Sequence, residues 1–124
     1  MKPEYGYPEI DKMIYPTIFF LSSCGGFSKR EYIGKMLQEM FGIEDNDIKA
    51  DKTHSGVPRW DLHLNDLRLE MIKRSFLMDA DTDRKGIWEL TLNGRIEFVK
   101  QMMFYKVFQD EMVAAVDKAS PQTT

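Results

Sequence analysis

The chain has 124 residues, 43% hydrophobic and 30% charged, with a formal net charge of −3. That length holds one domain around a single core, and that balance excludes a disordered or collagen-like chain. No apolar run approaches the roughly 20 residues of a helical membrane span, a lone cysteine excludes an internal disulfide, and the slight acidity argues against indiscriminate nucleic-acid binding.

In chain order, residues 1–8 (MKPEYGYP) are punctuated by proline and glycine and read as an arm. A first helix is expected from Glu9 to Ser23, with Ile10, Met13, Ile14, Ile18 and Leu21 at helical spacing. Pro16 lies inside it and should kink or divide it. Gly25-Gly26 stops that helix, leaving Phe27 for a single strand pair. Ser28 with Glu31 spells a capping box for a second helix that runs to Phe41, buries Ile33, Leu37, Met40 and Phe41, and ends at Gly42.

Residues 43–58 are polar and read as irregular, with one apolar patch at Ile48. A third helix is expected from Val57-Pro58 to about Ser75, because Trp60, Leu64, Leu67 and Met71 share one face. Phe76–Met78 then predicts a strand, 79–86 a charged turn, and Ile87–Leu90 a returning strand with Trp88 and Leu90 facing the core. Thr91 suits the cap of a last helix reaching about Lys118, with Gly94 allowing close approach in its first turn; the tail after Ser120 reads as frayed.

The resulting fold class is mainly α with a small β-hairpin. The order helix, helix, helix, hairpin, helix is that of a winged helix-turn-helix plus a long C-terminal helix. A lone hairpin is marginal in water and needs such a bundle behind it. The expected organisation is a winged-helix part with its arm over residues 1–95, and a dimerisation helix with its tail over 96–124, in one compact unit.

Several stretches carry a resemblance to a known family. They are Pro16 in the first helix, Gly25-Gly26 ahead of Ser28–Glu31, Pro58-Arg59-Trp60 opening the third helix, and Gly86 through Trp88, Thr91 and Gly94 to Arg95. Over roughly Met13 to Arg95 the chain resembles the N-terminal domain of Mrr-type restriction endonucleases. That resemblance implies a winged helix that binds DNA and directs an attached nuclease. The chain departs from the pattern with Asp66 in place of an aromatic and Ser75 in place of a glycine. Its long helix after Arg95 stands where a linker would.

For such a fold the third helix enters the major groove and its exposed side chains meet base edges. Arg59, His63, Asn65 and Arg68 are the candidates there, with Lys73 toward the far end; Asp61, Asp66 and Glu70 on the same helix oppose phosphate. Lys29 and Arg30 at the second helix, and Arg84 and Lys85 in the turn, are candidates for backbone phosphates. No catalytic residue, metal site or cofactor is expected. Asp79–Asp83 fails the EF-hand pattern at positions 6 and 12, where Arg84 and Leu90 stand. Asp47-Ile-Lys49 and Asp83-Arg-Lys85 are short fragments without a nuclease's carboxylate cluster. His54 and His63 lack partners at ligand spacing, and Cys24 reads as a small buried residue.

The last helix is apolar beyond one stripe, and Val99, Met102, Met103, Val107, Phe108 and Met112 are the expected interface of a homodimer. The function expected is therefore a non-enzymatic, dimeric, duplex-DNA-binding regulator or defence-associated specificity module, with a separately encoded nuclease or regulator as a further candidate partner. Absence of an apolar leader and the unpaired cysteine suit the cytoplasm. The competing class is a protein-interaction module on the same scaffold, without DNA binding.

Overall fold

A computed structural model describes residues 6–79 and 86–119, without side-chain detail at 108, 109, 111–113 and 115–119. Its elements are α1 (Ile10–Ser23), β1 (Phe27–Lys29), α2 (Arg30–Phe41), α3 (Asp45–Ala50), α4 (Arg59–Lys73), β2 (Ile87–Glu89) and α5 (Leu92–Ala119). The molecule is mainly helical with a small antiparallel sheet of two strands.

One apolar cluster holds these elements together. Met13, Ile14, Ile18 and Leu21 of α1 meet Ile33 and Leu37 of α2, the predicted stripe of α4 (Trp60, Leu64, Leu67, Met71), and Leu77, Trp88 and Leu90. Trp88 and Leu90 face inward as their alternation requires. Gly34 lets α2 approach α4, since a side chain there would press on Leu64. Pro16 leaves α1 undivided, and Leu21 accepts from Gly26 N at 2.7 Å to close the helix on two glycines of positive φ.

Four sequence expectations change. Ser28 does not cap α2: it lies in β1 opposite Trp88, the N-cap is Lys29, and no side chain caps that end. Met40 is 57% exposed rather than buried. The stretch 43–58 contains α3, closed by a capping box in which Glu44 and Asp47 satisfy each other's backbone. The first arm of the expected hairpin is one bridge, Leu77 to Leu90, and the regular ladder for β2 is made with β1 instead. The Trp88 strand is held on both edges: Leu90 N donates to Gly26 O at 2.8 Å on the β1 side, and Met78 N to Glu89 O at 2.8 Å on the other.

The start of α5 is fastened tightly. Thr91 Oγ1 accepts from Gly94 N at 2.9 Å and donates to Ser75 O. A Cβ at Gly94 would collide with the Phe76 carbonyl oxygen. Further on, Phe98 packs edge-on against Phe19 at 5.7 Å. Of the six residues expected at a dimer interface, Val99, Met103 and Val107 are exposed along one side of α5. Met102 lines a groove against α1, and the side chains of Phe108 and Met112 lie outside the described residues.

Candidate nucleic-acid interface

With its apolar stripe inward, α4 turns Leu62, Asn65, Asp66, Leu69 and Lys73 outward. Two of its other polar candidates, Arg59 and His63, are engaged at the flanks. Arg59 Nε lies 3.3 Å from the buried Asp51 carboxylate, and Arg59 N donates to Asp51 O at 2.9 Å, so α3 and the loop after it hold the helix start. His63 Nε2 is 2.6 Å from Pro8 O, its ring stacked on Trp60 and tilted against Tyr7. That ring anchors the N-terminal segment instead of reaching out. Arg68 is half-buried, Asn65 and Lys73 are exposed. Lys73 stands about 21 Å along the axis from Arg59. Beside it, Arg74 is taken by Glu70 at 2.8 Å and Asp11 at 2.6 Å.

The second group of candidates converges better. Lys29 is opposite Ile87 in the ladder, and Arg30 N donates to Gly86 O at 2.8 Å, so the start of α2 adjoins the residue that follows Arg84 and Lys85 in sequence. Arg84 and Lys85 themselves lie outside the described residues, as do Asp81 and Asp83. The Arg30 guanidinium reaches Asp61 O of α4 at 2.7 Å, tying the two helices across an open groove of 710 Å³. Lys29, Arg30, Lys35 and Lys49 line that groove, against Glu31, Asp45 and Asp61.

Sequence gives no sign of Lys35 here, and it marks Lys49 only within the short Asp47-Ile-Lys49 fragment. Lys49 joins the groove only because α3 folds back beside α2, and six residues without apolar periodicity give no sign of that. Asp45 is partly neutralised where it stands: a hydrogen bond from Gln38 at 2.8 Å, then Lys35 at 3.6 Å, hold its carboxyl below the usual range. The groove therefore carries four cations and three carboxylates around a helix junction, with Lys35 held by Asp45.

Tyr7 belongs to the opposite flank of α4. Its ring packs on Trp60 at 5.1 Å; burial, then the Asp51 carboxylate 3.4 Å from its hydroxyl, push its pKa up to about 12. Cys24 is exposed, against expectation, because the glycines after it end α1 at the surface. Among the described residues no group of three or more His, Cys, Asp or Glu is placed to hold a metal, and no helix is long and apolar enough to cross a membrane. No family model matches the chain, and neither does any curated protein or solved structure.

Proposed function

We propose that the chain is a winged-helix module that binds duplex DNA without catalysis, as a regulator or specificity factor. The observation that carries this reading is the meeting of Lys29 and Arg30 with Gly86 and the α4 junction, which gathers Lys35 and Lys49 into the same groove. Cations at that place suit phosphates flanking a helix in the major groove, and Asn65, Arg68 and Lys73 are then the side chains of α4 left for base edges or nearby phosphates. Residues 80–85, read from sequence as the charged turn of the wing, lie outside the described residues. The resemblance of Met13–Arg95 to the N-terminal domain of Mrr-type endonucleases supports the same assignment.

Fluorescence anisotropy with a random-sequence duplex tests it. With about four phosphates neutralised, affinity falls roughly 100-fold between about 50 and 200 mM salt. Lys29→Ala combined with Lys49→Ala weakens binding to all sequences alike and flattens that salt slope by about two. A chain that leaves the duplex free at low salt sinks the proposal.

A second reading has its own observation. Leu62 and Leu69, 46% and 52% exposed, sit in the middle of the outer face of α4 with Asp66 between them. That face suits a protein surface better than a base edge. Under this reading Leu62→Ser and Leu69→Ser abolish partner capture, while the Lys29 and Lys49 substitutions do nothing.

A further inference from the structure

Helix α5 is apolar on two faces, and α1 covers part of one. Beyond Phe98, the side toward α1 and α2 opens into a groove of 630 Å³ whose walls include Tyr15, Phe19, Met40, Met102, Phe104 and Tyr105. All six are exposed. Around the helix, Ile96, Val99, Met103 and Val107 recur at steps of three and four residues, so they form a second stripe, exposed along its length.

We propose that two copies of this chain close these surfaces on each other about a two-fold axis, the α5 stripe of each lying in the groove of the other. Area is the first argument. Four of the groove's aromatic rings, those of Tyr15, Phe19, Phe104 and Tyr105, are 43% to 72% exposed. At about 150–250 Å² per ring they leave roughly 450 Å² uncovered. That is more than half of the about 800 Å² that each partner contributes to a stable interface, and the methionines and the stripe add to it.

The stripe supplies the second argument. Apolar residues at steps of three and four are the face one helix presents to others, and an apolar groove between helices receives such a face. Both parts are present in every copy, so each chain can give a stripe and receive one. Charge supplies the third. Lys106 pairs with Asp110 at 3.8 Å along the helix beside the stripe, so the two signs offset each other there, which suits self-pairing; a partner steered by charge would meet one sign. Methionines on both faces adapt to the helix they receive. No residue of α4 takes part, so the dimer stands or falls independently of DNA binding.

Sedimentation equilibrium of the full chain at micromolar concentration gives twice 14.5 kDa if the proposal holds. Met103→Glu on the stripe and Phe104→Glu in the groove each weaken the dimer by roughly 30-fold or more, the scale of a buried anchor lost from an interface. Leu69→Glu on α4 leaves it intact. A mass of 14.5 kDa for the unsubstituted chain overturns the proposal, and so does a dimer indifferent to both glutamates. Should a glutamate variant lose its helical circular dichroism, thiol labelling of Met103→Cys in a Cys24→Ser background replaces it. The thiol is protected at high protein concentration and reactive on dilution; equal labelling rates at both concentrations overturn the dimer.

Discussion

Ser75 is the one residue besides glycine with positive φ, 65°, among the described residues. It closes α4: Phe76 N donates to Met71 O at 2.8 Å and Ser75 N to Ile72 O at 2.9 Å, the paired bonds of a Schellman turn. A Cβ in that conformation costs energy that glycine avoids. Ser75→Gly should therefore raise the free energy of unfolding by about 0.5–1 kcal/mol, read from urea denaturation. Gly94 is the converse case. Its missing side chain leaves room for the Phe76 carbonyl, and Gly94→Ala should cost about 1–3 kcal/mol in the same measurement. The glycine that the resemblance led one to expect at position 75 is absent, yet its backbone conformation remains.

Tyr7 gives a prediction in pH. An unfolded tyrosine ionises near 10, and the folded one near 12, so the fold favours the protonated hydroxyl. The native state then holds more protons than the unfolded state between those values. This contribution to stability is complete below about pH 10 and is lost as pH rises toward about 12. Tyr7→Phe should remove that part of the alkaline slope in a chemical-denaturation series across this window.

Among the elements, those with strong local pattern were legible from sequence. The Trp60–Met71 stripe, the Gly25-Gly26 stop, the Thr91 cap and the inward Trp88 all depend on neighbours within a few turns. What escaped depends on distant partners. Ser28 has the chemistry of an N-cap and the position of a strand residue, and pairing with Trp88 decides between them. The candidate site divides in the same way: Lys29 and Arg30 were visible, whereas Lys35 and Lys49 needed the packing of α3. His63 was legible as polar, and only the fold turns it toward Pro8.

Helix α1 also carries a prediction at this scale. Pro16 sits mid-helix without dividing it, leaving Lys12 O without its usual helical donor. Pro16→Ala should raise stability by up to about 3 kcal/mol, measured as a shift in thermal midpoint. Trp88→Ala should move it the other way by about 3–5 kcal/mol, because the indole is fully enclosed where α1, β1 and β2 meet.

For the whole molecule, charge is the controlling quantity. Under the proposed duplex binding, a chain of net charge −3 relies on the cations gathered at the α2–α4 junction, where Glu31, Asp45 and Asp61 also stand, while Asp66 opposes them on the outer face. Asp66→Lys should tighten duplex binding and steepen the logarithmic salt dependence by about one, since one more phosphate is then neutralised.

The ladder between β1 and β2 joins positions about sixty residues apart, and its two strands have only three residues each. Contacts so distant along the chain pay their loop-closure entropy before any cooperative gain, so this pairing completes late in folding while the α1–α2 hairpin can assemble early. Substitutions at Trp88 should then accelerate unfolding far more than they slow refolding, a low-φ signature that stopped-flow chevrons would display.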